Sequence, residues 1–263
     1  MPATDLGLLV EAARAAGEIA TRHGGKGVEH WQKPGGAGPV SAADMAVDAM
    51  LAADLLAARP EYGWLSEETE DDPGRLTCDR VFIIDPIDGT RSFVEGSRTW
   101  AHALAVAERG VVTAAVIYLP QRDKLYSAAA GAGAFLNGRP IRVASRDELT
   151  GASVLAARPA YAPEHWRGPV PEVARAYRPS LAYRLSLVAE GRFDAMLTLR
   201  PSWEWDIAAG DLILREAGAV TSDRAARPLR FNNPVPRLDG VMAANPVLHG
   251  ALARGLAPCG HGS

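Results

Sequence analysis

The chain has 263 residues, is 48% hydrophobic and carries a net charge of −3. That apolar content can bury a sizeable core, as one large domain or two closely packed halves, and the charge balance gives no reason to expect nucleic acid or an anionic membrane as partner. No apolar run approaches the roughly 20 residues of a bilayer span, the opening Met1-Pro2-Ala3-Thr4-Asp5 lacks a signal-peptide pattern, and Cys78 and Cys259 suggest neither a disulfide framework nor a thiolate zinc site. The expectation is a soluble cytoplasmic protein.

Residues 5–22 are Ala-rich and predict an amphipathic helix. A Gly-rich stretch from Gly24 to Gly38 follows, carrying Lys33, and reads as a mobile segment, either a spare loop or a lid. Ser41 and Asp44 have the spacing of a capping box, opening a second helix that ends near Pro60. Trp64-Leu65 closes a short apolar stretch before Ser66-Glu67-Glu68. Val81-Phe82-Ile83-Ile84 is a buried strand by its β-branched and aromatic residues. Pro86 cannot donate to a ladder, so the strand is expected to stop there and deliver Asp85 at its carboxyl end. Asp88-Gly89 is a turn pair, and Thr90 opens a short helix.

Beyond that point Ala101–Ala107, Val111–Leu119, Lys124–Ala130 and Ala134–Leu136 read as short strands. Arg109-Gly110, Gln121-Arg122-Asp123 and Asn137-Gly138 separate them, so this half is expected to be an antiparallel meander under two helices. Further on, Ser153–Ala157 is strand-like and residues 163–176 form a weak helix interrupted by Pro169 and Pro171. Leu181–Glu190 is a helix ended by Gly191, Phe193–Leu199 a strand, and 206–217 a strong helix closed by Gly218. Val241–Ala244 is a last buried strand with a helix from about Pro246. This alternation implies a partly parallel sheet covered on both sides. A boundary falls near 145–150.

Two carboxylates three residues apart, at the end of an apolar strand and beside a helix start, carry the chemistry. Hard divalent cations take oxygen ligands, and a helix start offers free N–H groups to phosphate. Singly, each acid has an ordinary reading. Glu67-Glu68 is a solvated surface pair, Asp85 with Asp88 a capped turn, Asp206 a helix N-cap and Asp44 half of a capping box. In combination they carry more. Ser66-Glu67-Glu68 followed by "DPIDGT" (residues 85–90) and "EWDIAAGDLILREAG" (204–218) resembles the inositol monophosphatase superfamily, magnesium-dependent, lithium-sensitive phosphomonoesterases.

The resemblance implies an α/β (α+β) fold, an αβαβα layered sandwich with an antiparallel sheet and a second mixed sheet, assembled as a homodimer. Residues 1–147 would supply the helix pair, the antiparallel sheet and most metal ligands. Residues 148–256 would supply the last metal Asp and substrate contacts, and 257–263 a disordered tail. Two or three Mg2+ ions would be held by Glu67, Asp85, Asp88 and Asp206 with the carbonyl of Ile87. Gly89 and Thr90 would cradle the phosphate. The Thr90 hydroxyl and Asp44 match the family pair that positions and deprotonates the attacking water, with Glu67 the other candidate base. Lys33 matches a family Lys whose loop closes over the metals. The implied reaction is in-line hydrolysis of a small phosphate monoester by metal-activated water, without a covalent enzyme intermediate.

For the substrate, Asp88–Gly96, "DGTRSFVEG", resembles the "DGTKEF" of the 3'(2'),5'-bisphosphate nucleotidase branch more than the "DGTTNF" of inositol phosphatases. Arg91 is the basic residue in that comparison. Glu204-Trp205-Asp206 resembles the same branch's "EWD". Arg184 stands where that branch has a Lys, and a guanidinium there could take a second phosphate; an unliganded surface position is its plain alternative. Tyr183 could stack on a base or lie in the core. Where inositol phosphatases carry a Glu for the ring hydroxyls, this chain has Leu199, unless Glu204 substitutes. The expectation is hydrolysis of adenosine 3',5'-bisphosphate to AMP. The alternatives are an inositol-1-phosphatase or broad sugar-phosphate phosphatase, and a metal-binding scaffold without turnover.

Overall fold

The computed structural model describes residues 4–24, 27–33, 35 and 38–258. In chain order the first half runs α1 (Asp5–His23), β1 (His30–Gln32), β2 (Pro39–Ser41), α2 (Ala42–Ala58), β3 (Gly63–Ser66), β4 (Arg80–Asp88) and α3 (Thr90–Val94). It continues with β5 (Ala101–Glu108), β6 (Val111–Leu119), β7 (Lys124–Ala129), β8 (Gly133–Leu136) and β9 (Arg139–Pro140). Then follow β10 (Ser153–Ala156), β11 (Ala174–Ala176), α4 (Leu181–Ala189), β12 (Ala195–Thr198), β13 (Ser202–Trp203) and α5 (Glu204–Glu216). The chain closes with β14 (Val220–Ser222), β15 (Arg237–Leu238), β16 (Val241–Ala244) and α6 (Pro246–Gly255).

Strands β3 to β9 form one sheet in sequence order, antiparallel throughout except for the parallel pair β3–β4. The second sheet has the order β11-β10-β12-β16-β14 and is mixed. Alternation of side chains along each strand assigns the layers. Phe82, Ile84, Leu104 and Val106 pack with Leu9, Ala13, Val47 and Leu51 of the first two helices. Their neighbours Val81, Ile83, Ala103 and Ala105 face the other way and pack with Leu185 of α4 and Leu212 of α5. That central cluster also takes in Leu155, Met196 and Ala243 of the second sheet. The far face of the second sheet, with Val154, Leu197 and Met242, is covered by Leu248 and Leu252 of α6. Helix pair, sheet, helix pair, sheet and helix follow one another as αβαβα. At the centre, Gly210 lets α5 approach α4 closely, because a Cβ there would lie 2.7 Å from Leu185 Cβ.

Several elements differ from expectation. The strand does not stop at Pro86 but continues to Asp88 through a bulge. No helix forms over 163–176. Short 3-10 turns at Arg158–Tyr161 and Pro163–His165 and strand β11 stand there, because prolines withhold the N–H groups a helix needs. The first sheet is not wholly antiparallel, since β3 adds in parallel at its edge. The Gly24–Gly38 stretch contains β1, which pairs antiparallel with β2 just beyond it, and residues 25, 26, 34, 36 and 37 of the stretch lie outside the described residues. The tail expected over 257–263 also lies outside them from Cys259 onward.

Candidate active site

A regular strand would defeat the Asp85/Asp88 spacing, since residues i and i+3 point to opposite faces. The bulge reverses this. Asp85 pairs with Ala103 and Asp88 with Ala101, so Pro86 and Ile87 together oppose the single residue His102. One extra residue inverts the alternation. Ile87 therefore packs in the same cluster as Ile84, and Asp88 comes round to the side of Asp85. Helix α5 brings Asp206 to the same place from the second half of the chain. Asp206 is the third residue of that helix, and its Oδ2 accepts the N–H of Trp203, the N-cap, at 3.3 Å.

Carboxylate oxygens of Asp85, Asp88 and Asp206 all lie within 4.8 Å of one another. Two unit charges at that separation repel by about 3 kcal/mol at an effective dielectric constant near 20. Burial first, then the charges of Glu67, Asp88 and Asp206, hold the Asp85 carboxyl well above the usual carboxylate range. Desolvation, with Asp88 and Glu67 next, pushes Asp206 up to about 8. Asp88 is raised by burial, against the hydrogen bonds it receives from Ser180 Oγ (2.6 Å) and the Ala182 N–H (2.5 Å) and against the charge of Arg184. Among the described residues, neither buried oxygen of Asp85 has a hydrogen-bond partner. Such groups are rare and call for an explanation. A hard cation with oxygen ligands supplies one, and this donor set fits it.

Glu67 lies near this triad but is not part of it. The Glu67 N–H donates to the Ile84 carbonyl at 3.2 Å, while its carboxylate is held by Lys33 Nζ at 2.7 Å. The same ammonium reaches Glu68 at 2.8 Å. Although burial opposes it, the two carboxylates raise the Lys33 pKa. Burial, opposed by Lys33, takes Glu68 up to about 7. Asp48 of α2 was not singled out in the sequence. It accepts from Ser66 Oγ (2.5 Å) and Thr69 Oγ1 (2.6 Å) and so anchors the loop bearing both glutamates.

The capping box at Ser41 forms as expected. The fully buried Asp44 accepts from the Ser41 N–H and hydroxyl through Oδ2 and from Thr90 Oγ1, at 3.1 Å, through Oδ1. Burial, partly offset by Ser41 and Thr90, raises its pKa. Thr90 Oγ1 also lies 3.0 Å from the Ile87 carbonyl. Gly89, the N-cap of α3, has φ +94°, and a Cβ there would sit 3.3 Å from the Thr99 carbonyl oxygen. Only glycine meets both conditions easily.

The substrate-side residues separate into two groups. Arg184 is no surface residue. It is buried, its guanidinium lies 5.2 Å from the Tyr177 ring centroid, and its charge acts on Asp88 and Asp206. Asp206, Glu67 and Lys33 line a cleft of about 480 Å³ together with Arg200, Trp203 and Arg237. Trp203 stacks on Trp205 at 4.9 Å, with Arg237 5.0 Å from its ring centroid. Arg200 and Arg237 were missed because isolated arginines carry no local pattern. Arg91 is exposed on α3, and Tyr183 is a core residue beside Arg122.

Glu204 does not fit the substrate role expected of it. Its carboxylate is fully buried and accepts from the Asn232 N–H (2.6 Å), the Asn233 N–H (2.9 Å) and Asn233 Nδ2 (2.6 Å). Arg75 binds the same loop at Asn232 Oδ1. Glu204 thus ties α5 to residues 232–233. Leu199 is buried and apolar, so it offers nothing to a sugar hydroxyl.

Comparison with known proteins agrees with this geometry. The model of the inositol monophosphatase family matches residues 3–260. An inositol-1-monophosphatase of Mesorhizobium japonicum is 35% identical over 95% of this chain and 94% of its own length. An inositol-1-monophosphatase of Rhizobium meliloti is 37% identical over 83% and 85%. Among solved structures, the extragenic suppressor protein suhB of Bartonella henselae superposes with a TM-score of 0.79 at 31% identity, over 94% of this chain and 96% of that one.

Proposed function

The chain belongs to the inositol monophosphatase family, a family of metal-dependent phosphomonoesterases, and from that premise we propose that its carboxylate cluster hydrolyses a small phosphate monoester with the help of Mg2+. The observation that carries this is the pair of buried, unpartnered oxygens on Asp85 within 4.8 Å of Asp88 and Asp206. Asp85, Asp88 and Asp206 would hold the metal, joined by Glu67 and the carbonyl of Ile87. When bound, magnesium supplies Lewis-acid stabilisation of the charge on the phosphate and on the departing oxygen.

The chain's own groups do the rest. Asp44, its pKa raised by burial, accepts the Thr90 hydroxyl proton. Thr90 can therefore take a proton from an attacking water while passing its own to Asp44. Glu67, once released by Lys33, is the alternative base. Lys33 bridges Glu67 and Glu68 and offsets part of their negative charge, which lowers the repulsion an anionic ester would meet at this rim. Gly89 leaves room for backbone to approach the phosphate.

Adenosine 3',5'-bisphosphate is the favoured substrate. Arg200 and Arg237 line the cleft as cations suited to a second phosphate, and the buried Arg184 adds its charge behind Asp88 and Asp206. Neither Leu199 nor the fully bonded Glu204 offers an acid to inositol hydroxyls. Inositol-1-phosphate is the second reading, supported by the names of the rhizobial relatives. Phosphate release from the two esters, each with Mg2+ and with or without lithium, tests both. A far higher kcat/KM for inositol-1-phosphate would overturn the nucleotide assignment, and no release from any monoester would overturn the phosphatase itself.

A further inference from the structure

Everything at the site depends on the bulge that turns Asp85 and Asp88 to one side. A bulge leaves backbone groups without ladder partners. Two carbonyls are at issue here, Pro86 and Ile87, and each lies within hydrogen-bond distance of a side chain. The single Thr90 proton goes to Asp44, so only the Pro86 carbonyl has a donor of its own. Ile87 faces Thr90 Oγ1 at 3.0 Å. Pro86 faces His102 Nδ1 at 2.5 Å. His102 is the very residue opposite the bulge, and it reaches Pro86 from the helix-pair side of the sheet, behind the carboxylates. Its ring is completely buried between Trp100 and Tyr118, at centroid distances of 5.4 and 6.4 Å.

Burial pushes the His102 pKa down to about 4, so the ring is neutral and carries one proton. A carbonyl can only accept, which assigns that proton to Nδ1. Nε2 is then buried with no partner among the described residues. A leucine of similar size would pack there without an orphaned atom, so packing alone does not explain a histidine at this position.

Resting on the metal-site reading above, we propose that His102 is a positioning residue that clamps the Pro86 carbonyl and thereby fixes the bulge presenting Asp85, the Ile87 carbonyl and Asp88 to the metal. It touches neither substrate nor metal. Its effect passes through the backbone, as outer hydrogen bonds orient ligands in other metal sites.

The test compares the full chain with His102→Leu, His102→Asn and His102→Gln, measuring Mg2+ affinity by calorimetry and steady-state phosphate release. Asn places an N–H donor where Nδ1 stands, whereas Gln places one where Nε2 stands. The Leu variant should keep its circular dichroism spectrum but bind Mg2+ about tenfold or more weakly and lose about as much kcat, with KM for the ester nearly unchanged. Asn should restore affinity and kcat to within about threefold, and Gln should not. A Leu variant within about twofold of wild type, or Asn as impaired as Leu, would overturn the clamp. Should Leu fail to fold, Asn near wild type with Gln impaired supports the proposal, and the reverse order sinks it. If wild type binds Mg2+ and the variants match it, the clamp alone is lost, whereas wild-type protein that binds no Mg2+ loses the site reading with it.

Discussion

Glu204→Ala separates a structural carboxylate from a substrate-binding one. The wild-type side chain accepts three hydrogen bonds, two from backbone N–H groups of Asn232 and Asn233 and one from Asn233 Nδ2. Alanine leaves those donors in a buried pocket and removes the anion whose charge acts on Arg75. At roughly 1–3 kcal/mol for each stranded donor, less what entering water recovers, the loss should be about 4 kcal/mol. For a chain of this size that lowers Tm by about 10 °C. Glu204→Gln keeps an acceptor and should lose about half as much. Thermal unfolding and urea titration measure the stability, and steady-state kinetics at a temperature where both proteins are folded measure the site. KM for the phosphate ester should stay within about threefold of wild type, because nothing that touches the substrate has been removed. If Glu204→Ala melted within about 2 °C of wild type while KM rose about tenfold, Glu204 would be a substrate ligand and the structural reasoning would fail.

Asp85→Asn should remove Mg2+-dependent turnover and the rise in Tm that Mg2+ gives wild type, about 2.7 kcal/mol at a hundredfold excess over Kd. The metal-free variant should be the more stable of the two, by up to about 3 kcal/mol of relieved repulsion. A Mg2+-dependent shift retained in Asp85→Asn would contradict the ligand assignment. Gly210→Ala drives a Cβ against Leu185 and should destabilise by about 1–3 kcal/mol. Pairing it with Leu185→Ala should give less than the sum of the two losses, and simple additivity in a double-mutant cycle would argue against that contact. Acid should destabilise the protein through His102 and His249, whose folded-state pKa values burial lowers, to about 4 for His102. The unfolded chain binds these protons first, so the stability is present at neutral pH and lost as pH falls from about 6.5 toward 4. In urea titrations at pH 7 and 4.5, His102→Asn should show a pH-dependent loss about 2 kcal/mol smaller than wild type. Equal losses would contradict the buried, neutral assignment of His102.

Much of this was legible from neighbours in sequence. The Ser41–Asp44 capping box lies within one turn, the Ala-rich first helix declares its period, and Gly89 follows from the turn pair before Thr90. The acidic motifs point to the chemistry even though Pro86, taken alone, predicts the end of its strand. Proline does forbid a ladder N–H, but a bulge needs none at that residue, and only the pairing with β5 reveals that two residues oppose one. The structural role of Glu204 is hidden from the sequence for a related reason. Its partners lie 28 and 29 residues further on, on a loop whose path no local pattern announces. Ser180, which binds Asp88 from 92 residues away, has only its helix-cap signature in the sequence.

The amino-acid order alone determined which residue types were available, where most helices and strands begin, and that oxygen ligands and phosphate chemistry belong together. Tertiary structure decided which oxygens meet, which are already satisfied and which are left bare, because hydrogen-bond partners and burial depend on sheet register and helix approach rather than on spacing along the chain.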